Sequence, residues 1–261
     1  MSRFAIAFPF VALLTSCAAP PMTPSAAVAD LAPTGKIRAA INFGNPILAS
    51  KDPVTGEARG VSVDLARELA RRAGVPVELV TFATAGNVVD AFRAGAVDVG
   101  FVAIDPARAA DISYTAPYVV IEGAYLVTRD SPIRSNAEVD RPGTRVAVGA
   151  QSAYDLFLSR ELKHATIVRA PSSPAVTDFF LANRLDVAAG VKQQLEADAR
   201  RLPGLRLLDG RFMLINQAMG MPRGHDAGAQ YLGAFVATMK SSGFVEEALK
   251  RHAIVGVAVA P

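Results

Sequence analysis

The feature that most constrains the fold is an alternation of strand-like and helix-like segments that begins at residue 37 and starts again at residue 145. The predicted strands are short apolar runs, and they cover residues 37–41, 75–82, 97–102, 145–148, 166–169 and 185–189. The predicted helices follow them, at residues 63–73, 88–94, 152–162, 175–182 and 192–200. Such alternation is typical of mainly parallel sheets covered by helices. The sequence therefore predicts an α/β fold.

Two stretches repeat one another across the two halves of this pattern. Residues 91–99, AFRAGAVDV, and residues 180–187, FLANRLDV, each end a helix, turn tightly and carry an Asp into an apolar strand. A long β-rich run at residues 118–127 separates the halves. Together with the restarted alternation, the repeat predicts two similar α/β lobes.

Charge and motif content exclude several function classes. Lys and Arg number 27 against 24 acids, and the longest basic clusters are the pairs Arg71-Arg72 and Arg200-Arg201, which is too little for a nucleic-acid surface. The chain has no Gly-x-Gly-x-x-Gly, no phosphate-binding loop, no Gly-x-Ser-x-Gly and no Cys-x-x-Cys. Its three His residues are far apart in the sequence. We expect no cofactor, no metal site and no nucleic-acid partner.

The N-terminal residues predict export from the cytoplasm and attachment to a membrane. Arg3 precedes an apolar run at residues 4–14, which is too short to span a bilayer but suits a signal peptide. The run ends in Leu14-Thr15-Ser16-Cys17, which resembles the lipobox of bacterial lipoproteins. We therefore expect a signal peptide at residues 1–16, a lipidated Cys17, and a flexible Pro- and Ala-rich tether over residues 17–34. The alternative is an ordinary signal peptide followed by a chance Cys.

Several short motifs carry a family resemblance that runs from about residue 35 to residue 252. Residues 60–70, GVSVDLARELA, resemble the G-F-D-V-D-L-A-x-E-L-A segment of family 3 extracellular solute-binding proteins, the amino-acid-type receptors of ABC importers. Residues 103–108, AIDPAR, followed by 114–118, YTAPY, resemble their T-I-T-P-E-R and F-S-x-P-Y motifs, with the same spacing. Residues 146–153, VAVGAQSA, are similar to the family's V-G-V-Q-x-G-T-T.

The resemblance implies a periplasmic binding protein of type II, in which two α/β lobes joined by two hinge strands clamp a ligand. We expect hinge strands near residues 124–128 and 216–221. Lobe 1 is then residues 35–125 plus 216–261, and lobe 2 is residues 126–215. The implied partners are a small carboxylate-bearing ligand and an ABC permease. The protein itself is expected to be a periplasmic monomer, attached to the membrane only by its lipid.

The family's motifs also imply where the ligand binds. Arg108 corresponds to the Arg that pairs with the ligand's carboxylate, and its planar guanidinium can form two parallel charge-assisted hydrogen bonds. Ser152 and Ala153 lie at the predicted start of a helix, where free amides and a hydroxyl favour an anion. Ala103 and Asp105 stand where the family has the two Thr residues of T-I-T. Gln217 is expected beside a hinge.

Three of the remaining candidates have two interpretations each. Phe43 and Tyr118 either wall the cleft or pack in the core, which is the more common role of an isolated aromatic side chain. Glu122 either reaches the ligand or forms an ion pair on a hinge strand, because a carboxylate in an apolar run needs a partner. A further candidate, Lys192, is expected to face a second anionic end of the ligand if that ligand is a carboxylate without an α-amino group.

One departure from the family bears on the substrate. Amino-acid receptors of this family carry an Asp that binds the α-ammonium, and Val191 occupies that position here. Either Asp105 or Glu122 supplies the negative charge from elsewhere, or the ligand is a carboxylate without an α-amino group.

Three functions remain, in decreasing order of support. The first is a lipoprotein receptor that delivers a carboxylate to an ABC importer and is not an enzyme. The second is an enzyme on the same fold that resembles cyclohexadienyl dehydratase, with Glu122 as a general acid. The third is a sensory lipoprotein that signals to a partner.

Overall fold

A mixed β-sheet is the framework of the protein, in a computed structural model that describes residues 24–261. The signal peptide predicted at residues 1–16 and the lipidated Cys17 lie outside the described residues. The helices are α1 Pro24–Leu31, α2 Val61–Ala73, α3 Ala85–Arg93, α4 Ala153–Glu161, α5 Val176–Ala182, α6 Lys192–Arg201, α7 Asp226–Ser241 and α8 Phe244–Arg251. The strands are β1 Ile37–Asn42, β2 Ser50–Lys51, β3 Ala58–Arg59, β4 Val77–Phe82, β5 Val99–Ala103, β6 Ile112–Tyr114, β7 Val119–Thr128, β8 Arg145–Gly149, β9 Thr166–Ala170, β10 Val187–Val191, β11 Leu205–Leu207, β12 Met213–Pro222 and β13 Ala258–Val259.

The order of the strands shows two parallel groups with an antiparallel pair between them. The main path of the sheet is β4-β1-β5-β12-β7-β10-β8-β9. β4, β1 and β5 are parallel, as are β10, β8 and β9. β12 and β7 pair antiparallel with one another and with the neighbouring groups. The predicted α/β fold with a repeated strand–helix pattern is confirmed.

β7 and β12 carry the chain from one parallel group to the other and back. Each is ten residues long, and Ile215 lies opposite Ile121 in their register. The segments predicted as hinges, residues 124–128 and 216–221, fall within these two strands. The C-terminal helices α7 and α8 pack against α1 and α2, on the side of β1, β4 and β5.

The sequence repeat corresponds to one structural device used twice. Asp98 accepts a hydrogen bond from the amide of Arg38 at 2.8 Å, and Asp186 accepts one from the amide of Arg145 at the same distance. In each case the guanidinium of that Arg also binds the carboxylate. Each Asp thus ties the entrance of its own strand to a parallel neighbour, β5 to β1 and β10 to β8.

The flexible tether predicted up to residue 34 is wrong from residue 24 onward. Residues 24–31 form α1, and the side chains of Ala27 and Leu31 are buried. α1 packs on α7, and Asp30 accepts a hydrogen bond from the amide of Gly228 at 2.9 Å. Local composition predicts a tether here, whereas the helix is stabilised by a partner about 200 residues further along the chain.

Candidate ligand-binding site

A cavity of about 30 Å³ lies where the two parallel groups face one another. It is reached by the carboxyl ends of β1, β5 and β10, by β12, and by the N-terminus of α4. The carboxyl ends of parallel strands are where ligands bind in open α/β sheets. Five of the predicted site residues line this cavity together: Ala103, Arg108, Ser152, Ala153 and Gln217.

Arg108 is a buried cation, with 3% of its surface exposed. It ends a short 3-10 turn, Pro106–Arg108, which begins after β5 and is capped by Asp105 through the amide of Ala107 at 2.8 Å. Its guanidinium donates to the carbonyls of Ala103 at 3.2 Å and Gln151 at 2.7 Å. Among residues 24–261, no carboxylate lies within ion-pair distance of it.

Burial also acts on the pKa of the Arg108 guanidinium. Loss of hydration lowers the pKa of Arg108, and the nearby Tyr114 and Asp105 oppose that shift. An Arg guanidinium stays protonated in proteins, so the side chain keeps its positive charge. A buried charge is costly without an opposite charge. The arrangement therefore favours an anion in the cavity.

The start of α4 adds further donors. The Ser152 hydroxyl caps the helix by accepting from the amide of Asp155 at 3.0 Å. The amides of Ala153 and Tyr154, in the first turn, have no intrahelical acceptor. Together with the helix dipole, they make this end of α4 favourable for negative charge.

The family's Gly before this cap is Gln151 here, and its backbone explains why a Gly is usual. Gln151 has a φ of 56°, in the left-handed region that favours glycine. Its amide donates to the Asp155 carboxylate at 2.9 Å, and its carbonyl accepts from Arg108. The loop therefore keeps the turn despite the substitution.

Five predicted candidates do not line the cavity: Asp105, Tyr118, Phe43, Glu122 and Lys192. Asp105 forms a two-point ion pair with Arg160 of α4, with the closer contact at 2.8 Å. Tyr118 is fully buried, and its hydroxyl lies 3.4 Å from that of Ser62. Phe43 is partly buried beside the Lys51 ammonium, 5.9 Å from the ring centre.

Glu122 and Lys192 bind one another. Their charged groups are 2.9 Å apart, and Arg211 lies 2.9 Å from the other carboxylate oxygen. The Lys192 ammonium, followed by Arg211, holds the pKa of the Glu122 carboxyl below its usual range. Glu122 is therefore ionised at neutral pH and has no proton to donate as a general acid.

Four polar residues that no motif predicts also line the cavity: Asn42, Asn45, Tyr154 and Ser173. Asn45 is 7% exposed and Tyr154 is 2% exposed. The position of Tyr154 in the first turn after Ser152 was the available signal in the sequence. Asn45 follows β1 in a loop whose approach to the cavity depends on the tertiary fold.

The profile of one family matches most of the chain. Residues 37–253 match the bacterial extracellular solute-binding proteins, family 3. The chain belongs to that family. A search of the curated proteins returned no match.

Solved structures share the fold at low sequence identity. The P235GK mutant of ArgBP from T. maritima is 19% identical, has a TM-score of 0.75, and is matched over 86% of this chain and 98% of its own. A histidine kinase sensor domain with similarity to periplasmic binding proteins is 21% identical, with the same TM-score and the same coverage. AncCDT-1, an ancestral amino acid-binding protein and a precursor of cyclohexadienyl dehydratase, is 21% identical, with a TM-score of 0.73, 86% coverage of this chain and 98% of its own.

Most of these solved structures are of binding proteins, and the matched family is a family of solute-binding proteins. Within the described part of the chain, no helix is long and apolar enough to cross a membrane. Residues 24–261 also contain no cluster of three His, Cys, Asp or Glu side chains that could hold a metal ion.

Proposed function

We propose that this protein is the substrate-binding component of an ABC importer and clamps a small carboxylate-bearing solute between two lobes. The observation that carries the proposal is the buried Arg108 guanidinium, which lines the cavity and has no carboxylate partner among the described residues. A ligand carboxylate would supply the missing charge, and Arg can bind it through two parallel hydrogen bonds.

Contacts from both sides of the cavity would couple binding to closure. Arg108 follows β5, in the proposed lobe 1 of residues 35–125 plus 216–261. Ser152 and Ala153 follow β8, in the proposed lobe 2 of residues 126–215. A ligand held by both lobes favours the closed form by its difference in affinity for the two forms. β7 and β12 are the proposed hinge strands, and Gln217 lies on β12 beside the cavity.

We further propose a periplasmic location, a lipid anchor at Cys17 and an ABC permease as partner, with the receptor itself a monomer. Membership of the family supports the location and the permease partner, and the lipobox-like N-terminus of this chain supports the lipid anchor. Replacing Cys17 with Ser in cells should move the protein from the membrane to the soluble fraction. Continued retention in the membrane would contradict the lipid anchor.

The binding function is tested with a panel of small carboxylates, including amino acids, screened by thermal shift and measured by calorimetry. We expect Arg108→Ala to weaken binding of any ligand found by at least about 30-fold, since removing one partner of a buried charge pair costs about 2–5 kcal/mol and every 1.4 kcal/mol is about tenfold. Arg129→Ala removes an equal charge from an exposed site and is the matched control. Equal affinity in wild type and Arg108→Ala would refute the proposed anchor.

Two further measurements test the clamp and the absence of catalysis. Small-angle scattering should show a smaller radius of gyration with ligand, and an unchanged radius would contradict closure. Prephenate incubated with the protein should remain intact, and its loss would support the dehydratase alternative.

A further inference from the structure

The described side chains that line the cavity carry a positive charge and no negative charge, which bears on the charge of the ligand. Among the described residues that line it, Arg108 is the one charged side chain, and none is acidic. The acids nearest in the chain to these lining residues already have cationic partners: Asp105 pairs with Arg160, and Asp155 pairs with Arg169. An α-ammonium placed here would face the Arg108 cation without a carboxylate of its own.

Two neutral polar atoms at the same cavity lack partners. Four buried side-chain atoms in residues 24–261 have no hydrogen bond, and two of them belong to cavity-lining residues: Asn45 Oδ1 and the Tyr154 hydroxyl. Burial raises the pKa of Tyr154 to about 12, so the hydroxyl keeps its proton. Ser173, Ser152 and the Gly149 backbone lie close enough to oppose that shift in part, yet none of the three meets hydrogen-bond geometry with the hydroxyl.

These two atoms specify the missing partner. Asn45 Oδ1 is an acceptor and needs a donor from the ligand, whereas the Tyr154 hydroxyl can donate to an oxygen. Buried polar groups are almost always hydrogen-bonded, so two orphans beside one cavity point to a ligand that carries both functions. A neutral O–H group satisfies Asn45 without adding a second positive charge.

We propose that the ligand is a small 2-hydroxy carboxylate rather than an α-amino acid. This rests on the proposed binding function of the same site. The carboxylate binds Arg108 and the first amides of α4, the 2-hydroxyl donates to Asn45 Oδ1, and Tyr154 donates to a ligand oxygen. The cavity of about 30 Å³ is small, so a short acid fits it with the least movement of the residues around it.

The direct experiment compares acids that differ only at the second carbon. Calorimetry at pH 7 would use three hydroxy and amino pairs, glycolate with glycine, lactate with alanine, and malate with aspartate, with pyruvate and propionate added. The hydroxy acid of at least one pair should bind at least 100-fold more tightly than its amino partner. Pyruvate and propionate should bind at least tenfold more weakly than lactate if lactate is the best of the series.

The outcomes separate this inference from the proposed function. An amino acid that binds as tightly as its hydroxy partner, with binding lost in Arg108→Ala, overturns the inference and leaves the carboxylate clamp standing. Tighter binding of pyruvate than of lactate also overturns it, because a 2-oxo acid cannot donate to Asn45. If no carboxylate of either kind binds, both the inference and the proposed function fail.

Two variants test the residues themselves. Asn45→Asp places a carboxylate where an ammonium would need one, so the affinity for the amino acid relative to its hydroxy partner should rise at least tenfold. Asn183→Asp makes the same charge change on an exposed helix end and should leave that ratio unchanged. Tyr154→Phe removes only the hydroxyl and should weaken binding of the hydroxy acid about tenfold at an unchanged unfolding temperature. Wild-type affinity in Tyr154→Phe, or an unchanged ratio in a folded Asn45→Asp, would overturn the assignment.

Discussion

Asp98 and Asp186 perform the same task in the two halves of the sheet but in different solvent environments. The Asp98 side chain is 4% exposed and that of Asp186 is 40% exposed. Replacing each with Ala removes the same kind of contact from a buried and from a hydrated site. The pair therefore compares one repeated device in a buried and in a hydrated site, with three hydrogen bonds to Asp98 and two to Asp186.

The contacts of each Asp determine how much stability its replacement should cost. Asp98 accepts three hydrogen bonds from Arg38: from the amide at 2.8 Å, from Nε at 3.1 Å and from Nη2 at 2.6 Å. A hydrogen bond to a charged group contributes about 1.5–3 kcal/mol, and bonds that share a carboxylate are not additive. Since the variant also leaves the partly buried amide of Arg38 without an acceptor, we expect Asp98→Ala to lose about 3 kcal/mol. At the exposed site, water replaces the carboxylate of Asp186, and we expect a loss of about 1 kcal/mol or less.

The assay is urea unfolding at pH 7, followed by circular dichroism, with the free energy of unfolding extrapolated to water. The free energy of unfolding should be about 2 kcal/mol lower in Asp98→Ala than in Asp186→Ala. Equal losses, or a larger loss in Asp186→Ala, would refute the argument that burial decides the strength of this contact.

Three further variants probe features of the fold. Leu31→Ala should lower the free energy of unfolding by about 3 kcal/mol in urea titrations, because Leu31 is fully buried where α1 packs on α7; wild-type stability would show that α1 is dispensable. Three backbone amides lower the pKa of Asp140 to about 2, so its stabilisation is present above the ordinary pKa of about 4 and is lost as the pH falls toward 2. Asp140→Asn should therefore flatten the loss of stability between pH 5 and pH 2, and a curve parallel to that of wild type would contradict this assignment. Gly149→Ala should lower the unfolding temperature more than Gly86→Ala, because the new methyl group meets the Ser173 backbone 2.7 Å away at position 149, whereas its three nearest neighbours at position 86 are side-chain atoms of Gln151; the reverse order would contradict this argument.

The sequence predicts most of the framework because its elements follow from local patterns. A strand–helix period and a repeated strand-entry Asp depend on neighbours in the chain, and both are present in the structure. The helix α1 was missed because its stability comes from contact with α7 rather than from its own composition. Long-range pairing also explains Asp105, whose partner Arg160 is 55 residues away and which therefore does not line the cavity.

The candidate site could be predicted in part for the same reason. Arg108 and Ser152 belong to motifs with fixed spacing, so their meeting at one cavity follows from the motifs. Asn45 and Tyr154 belong to no motif, although Tyr154 follows Ser152 in the first turn of α4. The hydrogen bonds that their side chains lack can be seen only in three dimensions.

The central position of β12 has a consequence for how the chain folds. β12 lies between β5 and β7, yet it is synthesised about 110 residues after β5 ends. Residues 119–207 contain β7, β8, β9, β10 and β11, so that group can assemble from a contiguous stretch of chain. The group of β1, β4 and β5 is complete only after β12 has been synthesised. Until then the edge of β5 that later pairs with β12 is exposed and can pair with other chains. Contacts that close such long loops form slowly. The yield of folded protein should therefore depend on how quickly residues 213–261 become available.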